Sequence, residues 1–204
     1  MLTDQYKYKG NDKMTEQTKS RDKILRTASR LFRKQGYHAT GLAQITAESG
    51  APRGSIYYYF PGGKEELAAE AIKLTGERIK TYISSTLSRE ADPVKAFQTY
   101  MQSMADGVKA HMMEENDDIP IVSVASETWS FSETLRKTCD QVYQDWQLVY
   151  LEKLTQSGFS KEKAACLSIA IQAMIEGAYV LSVTKKNGRP LSAAAQQIPY
   201  MLQQ

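Results

Sequence analysis

The run Arg53-Gly54-Ser55-Ile56-Tyr57-Tyr58-Tyr59-Phe60 places a guanidinium, a hydroxyl and adjacent phenols within about two helical turns. Ile56 and Phe60 stand four residues apart and share one helix face, which anchors that face to a core. At ~100° per residue, Tyr57 and Tyr58 point away from it. Two adjacent exposed phenols call for a covering surface. Phosphate oxygens can take their hydroxyl protons, and thymine methyls can take their ring faces. Arg53 can reach a guanine edge or a phosphate, Ser55 can donate to either, and Gly54 lets backbone approach a duplex closely. Two further groups have the chemistry of phosphate contacts: Lys64 at the start of a long helix, and Thr40 as the N-cap of a short one. The chemistry is recognition of a polyanion, with no covalent step. His38 and His111 are isolated, and Cys139 and Cys166 sit in helical patterns as core thiols. No nucleophile–base pair, phosphate-cradling glycine loop or metal spacing occurs, so neither an enzyme, a metal site nor a cofactor is expected.

The elements that must hold these residues are helices. Ile24, Leu25, Ala28, Leu31 and Phe32 recur at helical spacing from about Ser20, with Gly36 as the stop. Thr40 opens a second helix carrying Leu42, Ile45 and Ala47 and closed by Gly50. After Gly50-Ala51-Pro52 the third helix begins, and Pro61-Gly62-Gly63 ends it. Two short helices joined by a glycine-containing turn form a helix-turn-helix, whose second helix enters the major groove. Charge supports this assignment. Residues 1–64 carry 12 Lys+Arg against 5 Asp+Glu, and residues 65–204 carry 14 against 18, so a head of +7 sits on a body of −4.

The organisation expected is a disordered arm over 1–19, a helix-turn-helix domain over 20–66 and a helical body over 67–204. The arm adds loose phosphate contacts through Lys7, Lys9 and Lys13, and Met14 could be a second start. The fold class is all-α with about nine helices. Those of the body span about 64–87, 93–112, 119–130, 133–156, 161–185 and from Pro190 to the end, with the acidic segment 114–118 as a loop. No apolar run approaches the ~20 residues that span a bilayer, and the N-terminus lacks a signal-peptide core, so a cytoplasmic protein without membrane partners is expected. Phe97, Met101, Met104, Trp129, Tyr143, Trp146 and Glu176 are candidates to line a ligand site, or else belong to a plain helical core. Trp129 stands beside Ser126 and Glu127, an apolar wall next to polar groups. Glu176 breaks the apolar run Ile171–Val183 and can face a pocket, a partner subunit or solvent.

The stretch ILRTASRLFRKQGYHATGLAQITAESGAPRGSIYYYFPGGKEEL resembles the TetR family of bacterial one-component regulators. It carries the family's A-x-x-L-F…G-Y-x-x-T entry, the helix ending E-S-G, and G-S-I-Y-Y-Y-F followed by K-E-E-L. Tyr59 stands where the family usually has histidine, and the turn before Lys64 is one residue longer than usual. That Pro-Gly-Gly turn, with S-G-A-P-R-G-S and the body segments A-S-E-T and M-I-E-G, is similar to the lincomycin-resistance repressors and their flavonoid-responsive relatives. The resemblance implies a homodimeric repressor with recognition helices about 34–36 Å apart on double-stranded operator DNA. It also implies helices 133–157 and 161–185 as a four-helix dimer bundle, and a small planar aromatic inducer, flavonoid-like or drug-like. A regulator that activates, a DNA-binding head without a ligand, and a helical adaptor or enzyme that does not bind DNA are the alternatives.

Overall fold

A computed structural model describes residues 16–52, 54–113 and 119–203, with the side chains of 16–18 and 109–113 excepted. Every element among these residues is a helix. The expected contacts of Lys7, Lys9, Lys13 and Arg53, the start at Met14, the loop at 114–118 and the side chain of His111 lie outside them.

The head holds α1 (Glu16–Ala39), α2 (Leu42–Ser49) and α3 (Ser55–Tyr59). α1 begins before the expected Ser20, so residues 16–19 belong to it and not to the arm. Gly36 does interrupt it, at φ 84° and ψ 168°, a conformation that is essentially glycine's alone. Ile24, Ala28, Phe32, Ile45, Ile56 and Phe60 close a small core with almost no exposure. Gly50, at φ 61°, ends α2 as a left-handed cap whose N–H donates to the Ala47 carbonyl.

α4 (Gly63–Leu87) runs unbroken across the boundary expected at 66–67, burying Leu67, Ala71 and Ile72 against the head and Ile83 and Leu87 in the body. α5 (Pro93–Met113), α6 (Ile121–Thr128), α7 (Glu133–Gln156) and α8 (Lys161–Thr184) follow close to their expected limits. Ser132 and Ser160 cap α7 and α8 by accepting from the N–H of Leu135 and Lys163. The last helix expected is interrupted, giving α9 (Arg189–Ala195) and a single turn, α10 (Ile198–Met201).

α4 and α7 meet at Gly76. A Cβ there would lie 2.6 Å from Val142 Cγ2, and the Trp146 indole N–H donates to the Gly76 carbonyl at 2.9 Å. α8 is long and apolar enough to cross a membrane by length and composition, which a search for uninterrupted apolar runs passes over. One side of it packs on the body through Ile171 and Ile175; the other shows Ile169, Val180 and Leu181 to solvent. Cys139 is buried as expected, and burial pushes its thiol up to about 11, whereas Cys166 is exposed and not a core thiol.

Candidate functional site

The recognition element is built by two anchors. Ile56 and Phe60 are 1% and 0% exposed, whereas Tyr57 and Tyr58 are 62% and 71% exposed. The anchors fix the rotation of α3, and the phenols follow. Tyr59 is half-buried, packs on the core and meets the Tyr58 ring edge-on at 4.9 Å. Gly54 is the exposed N-cap of α3, and Ser55 is half-exposed beside it. Arg30 pairs with Glu48 at 3.0 Å, tying α1 to α2. Arg21 pairs with Glu70 and lies 4.9 Å over the Phe60 ring, tying α1 to α4 beneath α3.

Two expected phosphate contacts are placed differently. Thr40 is 1% exposed. Its hydroxyl donates to the Gly36 carbonyl at 2.8 Å and its N–H to the Tyr37 carbonyl at 3.2 Å. The break at Gly36 frees that carbonyl from the helix ladder, so the hydroxyl folds back onto it, and Gly41 takes the N-cap position of α2 without a side-chain bond. The Lys64 ammonium donates to the carbonyls of Tyr37 and Thr40, each at 2.9 Å, and sits 4.3 Å from the Tyr37 ring centre. Burial lowers its pKa, and Glu127 opposes that shift. Lys64 thus fastens the start of α4 to the elbow at 36–40.

The same elbow is held from the other side by Glu127, which the sequence offered only as a neighbour of Trp129. Glu127 Oε2 accepts from the N–H of Tyr37 at 3.0 Å and of His38 at 3.2 Å. The chain turns at Gly36, immediately before these two donors. Phe131 packs on the elbow, its ring 4.6 Å from His38 and 6.1 Å from Tyr37. Ser132 donates to Glu65, joining the α6–α7 turn to the first turn of α4.

The proposed lining of the body divides. Phe97 and Met101 are fully buried, and Phe97 meets Tyr150 edge-on at 5.6 Å. Tyr143 is half-buried and meets Trp146 edge-on at 5.5 Å, while Met104 and Glu176 are half-buried. Trp129 is 66% exposed at the end of α6, so it belongs to no interior wall. Glu176 faces a tyrosine-rich interior: its charge raises the pKa of Tyr100, Tyr143, Tyr150 and Tyr179, each of which is raised first by burial. Burial pushes the Glu176 carboxyl up to about 7.

A three-helix head with a buried-anchor recognition helix, continuous through α4 with a helical body, is the architecture of a helix-turn-helix transcriptional regulator. Residues 24–71 match the family "Bacterial regulatory proteins, tetR family", and residues 93–197 match "Transcriptional regulator LmrA/YxaF-like, C-terminal domain". The chain belongs to the TetR family, with an LmrA/YxaF-like C-terminal domain. It is 46% identical over 189 residues to the uncharacterized HTH-type transcriptional regulator YxaF of Bacillus subtilis, covering 93% of this chain and 98% of that one. It is 43% identical over 183 residues to the HTH-type transcriptional regulator LmrA of the same organism, covering 90% and 96%. Among solved structures, a TetR regulator from Chloroflexus aurantiacus superposes with a TM-score of 0.77 at 22% identity, over 94% of this chain and 98% of that one. The reduced form of NemR from Escherichia coli gives 0.72 at 19%, over 89% and 96%. These two likenesses concern the fold.

Proposed function

We propose that the protein is a homodimeric repressor that binds a near-palindromic operator through α3 and is released by a small planar aromatic ligand in the body. The observation that carries the DNA reading is the pairing of fully buried Ile56 and Phe60 with widely exposed Tyr57 and Tyr58. A fixed helix that displays two phenols on a basic head suits phosphate and thymine-methyl contact. Arg53, Gly54 and Ser55 lead the helix into the groove. Thr40 and Lys64 act here by holding the elbow. A bacterial regulator meets its DNA in the cytoplasm, and the protein works there.

The dimer reading is supported by a groove between α7 and α8 lined by Gln144, Leu148, Leu151, Ala165 and Ile169. Leu148 and Ile169 are 58% and 57% exposed, as expected of helices that pair with a second copy in a four-helix bundle. Ligand release requires only that the ligand favours the state with the heads spread, by a few kcal/mol of differential affinity. The subgroup suggests a flavonoid-like inducer.

Gel retardation with DNA upstream of the protein's own gene tests the reading. Binding is expected, and it should weaken at least about tenfold between ~50 and ~200 mM salt as phosphate-bound counterions return. Tyr58→Ala is expected to weaken all sequences, and Arg53→Ala to relax discrimination among them. No retardation of any neighbouring intergenic DNA at low salt would refute it.

A further inference from the structure

The three tyrosines of α3 are not equivalent. The Tyr58 N–H donates to the Gly54 carbonyl at 3.1 Å and the Phe60 N–H to the Ile56 carbonyl at 2.7 Å, so helical geometry holds as far as the second anchor. At ~100° per residue, Tyr58 stands about 200° round from buried Ile56 and points straight away from the core. Tyr57 leaves on the flank towards α4: a Cβ on Gly63, the first residue of α4, would lie 3.9 Å from Tyr57 Cε1. The longer turn holds Gly63 there, through the Gly63 N–H on the Phe60 carbonyl at 2.8 Å and the Gly62 N–H on Glu66 Oε2 at 2.7 Å. Tyr59, where the family usually has histidine, returns to about 60° from Ile56 on the other side. It packs on the core, and its ring meets that of Tyr58 edge-on, with centroids 4.9 Å apart and planes at 79°. Tyr58 is thus 71% exposed, yet its ring is braced by a neighbour that the core holds.

We propose that Tyr58 covers thymine 5-methyl groups in the operator, and that Tyr59 is the positioning residue that holds its ring for that contact. This rests on the reading that α3 binds DNA. The residue opposite the anchors stands furthest from the core, so it reaches deepest into the groove that α3 enters. Among the base edges there, thymine alone presents a methyl group. The phenol ring buries that methyl against its face while its hydroxyl reaches on to a phosphate, and Tyr57 on the flank meets phosphate alone. A ring already fixed by an edge-on neighbour loses less freedom when the groove closes on it.

Uracil is thymine without the methyl, with the same hydrogen-bonding groups on its edge, so replacing one by the other isolates this contact. One covered methyl is worth about fourfold in affinity, and one in each half-site about fifteenfold for a dimer that engages both.

The test is gel retardation by the full-length protein of the same upstream DNA made twice, once with thymidine and once with deoxyuridine in its place. The wild type is expected to bind the thymine DNA about tenfold more tightly. Tyr58→Ala removes the reading ring from an exposed position, and should weaken binding to both DNAs while bringing the two affinities within about twofold. Tyr59→Phe keeps the ring edge and should keep most of the ratio. Tyr59→Leu fills the same space without a ring edge and should lower the ratio about threefold, with thermal unfolding of each variant as the check that the head is folded. Equal affinity of the wild type for the two DNAs, or an unchanged ratio in Tyr58→Ala, would overturn the assignment of the methyl contact. A wild-type ratio in Tyr59→Leu, or a lost one in Tyr59→Phe, would overturn the role given to the Tyr59 ring. No retardation of either DNA would refute the DNA reading, and the assignment with it.

Discussion

Removing Glu127 deletes the acceptor for two backbone donors of the elbow that lie 90 and 89 residues away in sequence. Tyr37 is 7% exposed, so its N–H would be left without a partner in a dry setting, at about 1–3 kcal/mol. His38 is exposed and water replaces the carboxylate there, so its contribution is below about 1 kcal/mol. Glu127→Ala is therefore expected to destabilise the fold by about 2–3 kcal/mol, or a fall in Tm of roughly 4–12 °C for a chain of this size. Glu127→Gln keeps an acceptor in place and loses only its charge, so about half of that loss is expected. Thermal unfolding of both variants beside the wild type gives the comparison. DNA retardation of the same samples below their transitions asks whether the elbow also sets the head: a weaker complex from folded Glu127→Ala is expected. A Tm within a degree of the wild type, together with unchanged DNA affinity, would refute the reasoning that the carboxylate holds the elbow.

Gly36→Ala places a Cβ 2.8 Å from Glu127 Oε1 at a φ of 84°, so a Tm loss of several degrees is expected, and combining it with Glu127→Ala should not restore stability because the backbone strain remains. Leu148→Glu puts a charge in the α7–α8 groove, and light scattering should then show a monomer where the wild type is a dimer; a dimer in both would dismiss that face as the interface. Glu176→Gln removes a group whose folded pKa is raised to about 7, so the native state of the wild type favours the protonated form. Wild-type stability is then full near pH 4 and declines as pH rises through 7, so the variant is expected to match it at low pH. At pH 8 the variant should exceed it by about 3 kcal/mol, and parallel melting curves at all pH values would contradict this. Tyr58→Ala should leave Tm unchanged while lowering DNA affinity, since an exposed ring contributes nothing to the core.

The head was legible because its signals are local. Glycine stops and the four-residue spacing of Ile56 and Phe60 act within a turn or two of the residues they govern, and the exposure of Tyr57 and Tyr58 follows from that spacing. What escaped was set at a distance. Thr40 has the composition of an N-cap, yet the carbonyl released by Gly36 competes for its hydroxyl and prevails. Lys64 has the position of a phosphate contact, and its ammonium also meets two carbonyls, of Tyr37 and Thr40, that lie 27 and 24 residues away in sequence. Nothing in the sequence couples Glu127 to Tyr37, since that contact exists only once α6 lies beside α1. In the body, periodicity identified the helices but not which sides face inward. It therefore grouped exposed Trp129 with buried Phe97, and left Glu176 open among pocket, partner and solvent.

The elbow has a consequence for how this regulator can be taken apart. A fragment ending at residue 66 would carry the recognition helix and Lys64 but leave behind Glu127 and Phe131, which hold the elbow from about 90 residues further along, and Ser132, which holds the first turn of α4. The unit that presents α3 is therefore discontinuous in sequence, and a head grafted onto an unrelated body arrives with two uncapped amides. Portability belongs to the pair of segments 20–66 and 127–132, and a chimaera that keeps DNA recognition must transplant both.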